Sequence, residues 1–168
     1  VLDFAFQGAA TSFAGGGKPT GLSTLFAGDD RYTTPDSSAT ALPTFLGNHD
    51  MGRIGHFLAG KGDVLQRNRL AHELMFLTRG QPVIYYGDEQ GFAGNGGDRA
   101  ARQSLFASQV AEYTEQSLVT GETVGAQDRY DTEAPLYTDI AALSQLRAEH
   151  PTLTTGAQIE RHADDAEP

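Results

Sequence analysis

The sequence predicts an α/β fold in which strands and helices alternate, and three observations carry that reading. The run Pro82-Val83-Ile84-Tyr85-Tyr86 is rich in β-branched and aromatic residues, which suit a pleated strand. Ahead of it, Leu70, Leu74 and Leu77 recur at spacings of four and three, the period of a helix. A second strand-like run, Thr44-Phe45-Leu46-Gly47, precedes that helix. Strands alternating with helices imply a parallel sheet joined by right-handed crossovers.

From the start of the chain, Leu2, Phe4 and Phe6 fall on one face of an extended segment, so residues 1–6 read as a first strand. The glycine-rich stretch 15–21 is loop, residues 22–27 read as a short helix, and 29–38 as a polar connection. Pro43 leads into the strand at 44–47, which runs directly into Asn48-His49-Asp50 and then Met51-Gly52-Arg53. A helix is expected over 64–78, with Arg67 and Arg69 on its outer side and Arg79-Gly80 as its stop. The strand at 82–86 ends at Gly87-Asp88-Glu89. A second glycine-rich loop spans 91–97, and 99–118 is helical only in parts. Pro135 starts a last helix with Leu136, Ile140, Leu143 and Leu146 on one face and Pro151 beyond its end. Residues 1–155 form one unit, and 156–168 are a tail or the start of a following domain. Three strands are few for a free-standing parallel sheet, and each strand end carries polar residues, where sites form in such folds.

Composition narrows the function. The formal net charge of -10 argues against nucleic acid, which needs clustered Lys and Arg, and against an anionic membrane surface. No run is long and apolar enough for a membrane-spanning helix. The absence of cysteine excludes disulfides and thiolate metal sites. A neutral substrate such as a sugar is compatible with the charge. An opening that is strand-like and lacks Met gives the expectation of a piece of a longer chain.

Two strings carry the chemistry. Phe45-Leu46-Gly47-Asn48-His49-Asp50-Met51-Gly52-Arg53 and Gly80-Gln81-Pro82-Val83-Ile84-Tyr85-Tyr86-Gly87-Asp88-Glu89-Gln90 lie in that order with a helix between them. An Asn-His-Asp string after a strand, taken alone, is a turn with a solvated carboxylate. With both strings in order, the chain resembles the alpha-amylase superfamily of glycoside hydrolases. The resemblance implies a partial (β/α)8 TIM barrel, strands six to eight with their helices. Leu2-Asp3-Phe4 resembles the sixth strand, and 143–153 the helix that closes the barrel.

The resemblance also implies a retaining reaction on α-linked glucans such as starch or maltooligosaccharides, run by a carboxylate nucleophile and a carboxylic acid. In the family these sit on the fourth strand, in an Arg-x-Asp string, and on the fifth, as a Glu; neither string is present. Arg129-Tyr130-Asp131 has the letters, but it follows the eighth strand and no apolar strand precedes it. Asp50 matches the family's third acid, which holds sugar hydroxyls as positive charge develops on the ring. His49 matches a donor to the same sugar, and Asp98 and Arg102, four apart, match a pair bordering it. Asn48 is expected to bracket the turn, and Asp88 and Glu89 to bond backbone at the strand end. One of Tyr85 and Tyr86 is expected in the core and the other towards the site. His56, His72, His150 and His162 are expected on the surface or on helix sides. A His-Asp pair with His56 or His72 is also a pattern of metal-dependent phosphohydrolases, but those are all-helical and this pair follows a strand. No metal ligand set or cofactor is expected in this chain, although calcium is compatible with the complete protein. The expected partners are an α-glucan and the remainder of the barrel, in the same or another chain. The isolated chain is expected to be inactive, and the alternative is a non-catalytic carbohydrate-binding or regulatory remnant. Secretion follows only from the size of the expected substrate.

Overall fold

The computed structural model describes residues 1–164. Its elements run in the order α1 (Phe4–Ala14), α2 (Thr20–Ala27), β1 (Pro43–Phe45), α3 (Ile54–Phe57), α4 (Val64–Leu77), β2 (Gln81–Val83), α5 (Ala111–Thr114), α6 (Pro135–Glu149) and α7 (Thr152–Thr155). Short 3-10 turns lie at Asp29–Tyr32, Ala39–Ala41 and Asp98–Ala101. β1 and β2 pair in parallel, Thr44 opposite Pro82 and Phe45 opposite Val83, so the crossover from one to the other contains α3 and α4.

The expected first strand is a helix. Asp3 accepts from the Phe6 amide at 2.9 Å and so caps α1. Phe6, Ala10 and Ala14, four apart, are fully buried; that spacing selects a helix over the two-residue alternation of Leu2, Phe4 and Phe6. Phe4 is exposed, which the strand reading did not anticipate. Something of an extended segment survives at its start, where the Asp3 amide donates to the Pro43 carbonyl at 3.0 Å. The sheet among the described residues therefore has two strands and not three.

The helices expected at 22–27, over 64–78 and from Pro135 are present, the last two with rotated faces, while α3 and α7 are short helices the sequence reading did not expect. α4 buries Asn68, Ala71, His72, Met75 and Phe76, while Leu70 and Leu74 pack at the margin of the core and Leu77 is exposed. Packing of α4 against both α1 and α6 sets that face, so short and polar side chains end up inside. His72 is thus a core residue and not a surface one; its Nδ1 lies 2.8 Å from the Asn68 carbonyl, and burial lowers its pKa. Arg69 reaches Asp139 of α6 at 2.5 Å. In α6, Leu136 and Ile140 are buried, Leu146 is exposed, and Arg147 turns inward. The Arg147 guanidinium donates to the carbonyls of Phe76 and Gly80 at 2.5 Å each, which satisfies backbone left open at the end of α4. Before the first residue of β2, buried Arg79 bonds Asp29 at 2.8 Å with both Nε and Nη2, and pairs with Asp3 through Nη1. Residues 156–164 carry no helix or strand, and 165–168 of the expected tail lie outside the described residues.

Candidate active site

The C-terminal ends of β1 and β2 lie side by side because the strands are parallel. Beyond β1 the chain makes a tight loop closed by paired bonds between Asn48 and Gly52, N to O at 2.9 and 3.1 Å. His49, Asp50 and Met51 form its tip. The Asn48 side-chain oxygen accepts from the amides of Asp50 and Met51 at 2.9 Å each, the bracketing expected of it. Gly52 holds a φ of +115°, where a side chain is strained.

A second segment folds down onto this loop. The Asp98 amide donates to the Asp50 carbonyl at 3.1 Å, and Gly97 approaches so closely that a Cβ there would lie 2.3 Å from the same oxygen. Asp98 itself has a φ of +49°, a left-handed conformation that Asp tolerates better than most residues. The 3-10 turn that follows delivers Arg102, whose Nη2 lies 2.8 Å from Asp98 and 3.5 Å from Asp50. The His49 Nε2 lies 3.3 Å from the Asp50 carboxylate. All four site residues expected from the sequence are therefore in one cluster, although the two segments are far apart in the chain. Asp50 and Asp98 are each 75% exposed. Ion pairs this exposed contribute little to stability. Their arrangement leaves two carboxylates, Asp50 and Asp98, and two cationic or polar donors open to a solute, and charge-assisted bonds from such groups to hydroxyls are strong ones.

Beneath the cluster lies a polar network that the sequence reading did not find. Arg53, the residue after the loop closes, is fully buried. Its Nε donates to Gln103 at 2.7 Å, and its Nη1 to the Tyr86 carbonyl at 2.7 Å and to Asp88 at 2.8 Å. Its guanidinium carbon sits 4.6 Å from the ring centre of Tyr85 and 5.2 Å from those of Tyr86 and Phe92. Nη2 has no hydrogen-bond partner, and the surrounding aromatic faces compensate it in part. Asp88 is thus the partner of a buried cation, and not a backbone bracket as expected; Glu89 does bracket, accepting from the Gly87 amide at 2.8 Å. Burial raises the Asp88 carboxyl to about 6 despite the opposing pull of Arg53. Tyr85 donates to the Ala101 carbonyl at 2.8 Å, and burial together with its contact to Tyr86 raises its hydroxyl to about 12. Tyr86 is exposed. Gln103 passes the network on to buried Gln116. Tyr85, Tyr86 and Asp88 stood in the second string, but nothing in the sequence marked Arg53 and Gln103 as their buried partners.

Asp131, of the rejected Arg-x-Asp string, is tied through its backbone to Gln90 at 2.9 and 3.1 Å. Among the described residues, no group of three or more His, Cys, Asp or Glu side chains is arranged to hold a metal ion.

The family described as "Alpha amylase, catalytic domain" matches residues 2–156. The chain belongs to the alpha-amylase family. It is 52% identical over 172 residues to an alpha-amylase of Streptomyces lividans, a match covering 98% of this chain and 19% of that protein. Among solved structures it resembles a cyclomaltodextrin glucanotransferase with a three-domain ABC distribution, at a TM-score of 0.65 and 26% identity over 98% of this chain and 28% of that one. It shares a fold with the alpha-amylase from H. orenii, at a TM-score of 0.69 and 23% identity over 98% of this chain and 34% of that one. The chain thus spans about a fifth of the length of its Streptomyces relative. Homologues of this family place it with the glycoside hydrolases and with barrel folds.

Proposed function

We propose that β1 and β2 are the seventh and eighth strands of an eight-stranded barrel, that residues 1–3, bonded from Asp3 to Pro43, are the end of the sixth, and that the complete protein is a retaining glycosidase acting on α-linked glucans. Residues 1–155 belong to that barrel, and 156–168 are a tail or lead into a following domain. Asp50 holds hydroxyls of the sugar whose ring becomes cationic in the transition state, where its charge counts for more than in the ground state. His49 donates to the same sugar, and Asp98 and Arg102 border it. The nucleophile and the acid come from the part of the barrel outside this chain, so the isolated chain has no route to a covalent intermediate.

The observation that carries this reading is the convergence of His49, Asp50, Asp98 and Arg102 at the C-terminal end of β1. The exposed side chains of Leu2, Phe4, Val83 and Tyr86 support a continuing barrel, since a two-stranded sheet leaves both of its edges unpaired. The test is Asp50→Asn in the complete gene product, read as release of reducing ends from a maltooligosaccharide. The expected result is a loss of kcat of roughly 100-fold or more. Unchanged turnover would remove Asp50 from the site. A complete protein that binds glucan without any turnover would establish the non-catalytic reading instead.

A further inference from the structure

Two segments meet at the candidate site, and each is followed at once by a buried residue of the same network. Arg53 comes directly after the Asn48–Gly52 loop, and Gln103 directly after Arg102. The surface contacts between the segments are a hydrogen bond from the Asp98 amide to the Asp50 carbonyl, a long bond from Arg102 Nε to the His49 carbonyl at 3.4 Å, and one solvent-exposed ion pair, Arg102 to Asp50. Water competes for every one of these side-chain contacts. The Arg53–Gln103 bond lies instead in the fully buried layer, where no solvent competes and a hydrogen bond is electrostatically stronger.

We propose that Arg53 is a positioning residue, fixing Asp50 and Arg102 relative to each other through its buried bond to Gln103. This rests on the roles given above to Asp50 and Arg102. The guanidinium fork makes three anchored bonds in two directions. Nε holds the segment carrying Arg102; Nη1 holds the chain beyond β2, at the Tyr86 carbonyl and at Asp88. The three aromatic rings around it restrict its rotation. Gln103 is itself held at its amide end by the Ala100 carbonyl at 2.7 Å and by Gln116, so the brace does not stop at a mobile side chain. A lysine has the charge to meet Asp88 but lacks the fork that reaches Gln103 at the same time.

The experiment uses the complete gene product and the variants Arg53→Lys, Gln103→Met, Arg102→Ala and the pair Gln103→Met with Arg102→Ala, each checked for an intact near-ultraviolet circular dichroism spectrum. Gln103→Met keeps the side-chain volume and serves if Arg53→Lys does not fold. Arg53→Lys and Gln103→Met are each expected to lower kcat roughly 10- to 100-fold, the effect of a displacement of about 1 Å at a reacting centre, with KM changed by less than about threefold. In the Arg102→Ala background, Gln103→Met is expected to cost less than about threefold more, because its effect travels through Arg102. Full activity in Arg53→Lys would reduce Arg53 to a counter-charge for Asp88 and overturn the proposal. Independent, multiplying losses from Gln103→Met and Arg102→Ala would overturn it as well. Retained activity in both Asp50→Asn and Arg102→Ala would defeat the reading of the site itself; loss in those two with none in Gln103→Met defeats the brace alone.

Discussion

Gly97→Ala isolates the contact on which the candidate site is built. The backbone at Gly97 has a φ of -88° and a ψ of -176°, which alanine adopts without strain, so the substitution acts only through the space it fills. An added Cβ lies 2.3 Å from the Asp50 carbonyl oxygen and 3.1 Å from the Met51 carbonyl carbon. Both are backbone atoms, and neither can swing aside. The two segments must separate by roughly 1 Å to restore ordinary van der Waals contact. That takes the Asp98 amide, now 3.1 Å from the Asp50 carbonyl, out of hydrogen-bond range. It also moves Arg102 away from the Asp50 carboxylate, from which it is 3.5 Å distant. Loss of one such bond and local crowding together cost about 1–3 kcal/mol of stability. The same displacement costs roughly 100-fold in rate if Asp50 and Arg102 act on one sugar. A melting curve and kcat/KM on a maltooligosaccharide, measured on the complete protein, separate the two effects. Gly8→Ala is the control: it lies exposed in α1 with no heavy atom within 4 Å of the added methyl. It should stabilise by about 0.5–1 kcal/mol without touching kcat. A Gly97→Ala protein with kcat/KM within about threefold of the parent would refute the claim that the two loops form one site.

Two further substitutions test the buried charges. Asp88 titrates at about 6 in the fold against an ordinary 3.8, so between those values the folded chain binds a proton that the unfolded chain does not. Its contribution to stability is therefore full below about pH 4 and lost as pH rises through about 6. Asp88→Asn should show a melting temperature that gains on the parent across that window, by at most about 3 kcal/mol in stability; a gain in the opposite direction would contradict the assignment. Arg79→Ala leaves Asp3 buried without its cation and frees Asp29; it should cost about 3–5 kcal/mol, read as a fall in the denaturant midpoint. A loss below about 1 kcal/mol would show that the Asp3–Arg79–Asp29 cluster is not what anchors the start of α1 to the sheet.

What the sequence made legible followed from how local each signal was. The clustering of His49, Asp50, Asp98 and Arg102 was readable only through the family resemblance, which matched Asp98 and Arg102 to a pair bordering the same sugar, since the two segments lie far apart in the chain. Asn48 was readable because an Asx turn is satisfied within three residues. α1 was not, because the decision between strand and helix at residues 2–6 turned on one cap at Asp3 and on small residues, Ala10 and Ala14, that carry almost no hydrophobic signal. The face of α4 was misread for a related reason. A leucine periodicity marks the face that an isolated helix would bury, but α4 packs against both α1 and α6, and Asn68 and His72 are buried along with Ala71, Met75 and Phe76. Arg53 was the least accessible of all. A charged residue two positions beyond an exposed loop tip reads as surface, and only its partners Asp88 and Gln103, 35 and 50 residues away, make its burial tolerable. That cost also argues for function at this position. Apolar packing can often supply as much stability as a buried ion pair, so the positioning role proposed for Arg53 rests on the fixed directions of its hydrogen bonds. Those bonds run from the end of the loop bearing Asp50 to Gln103, next to Arg102, and to Tyr86 and Asp88 beyond β2.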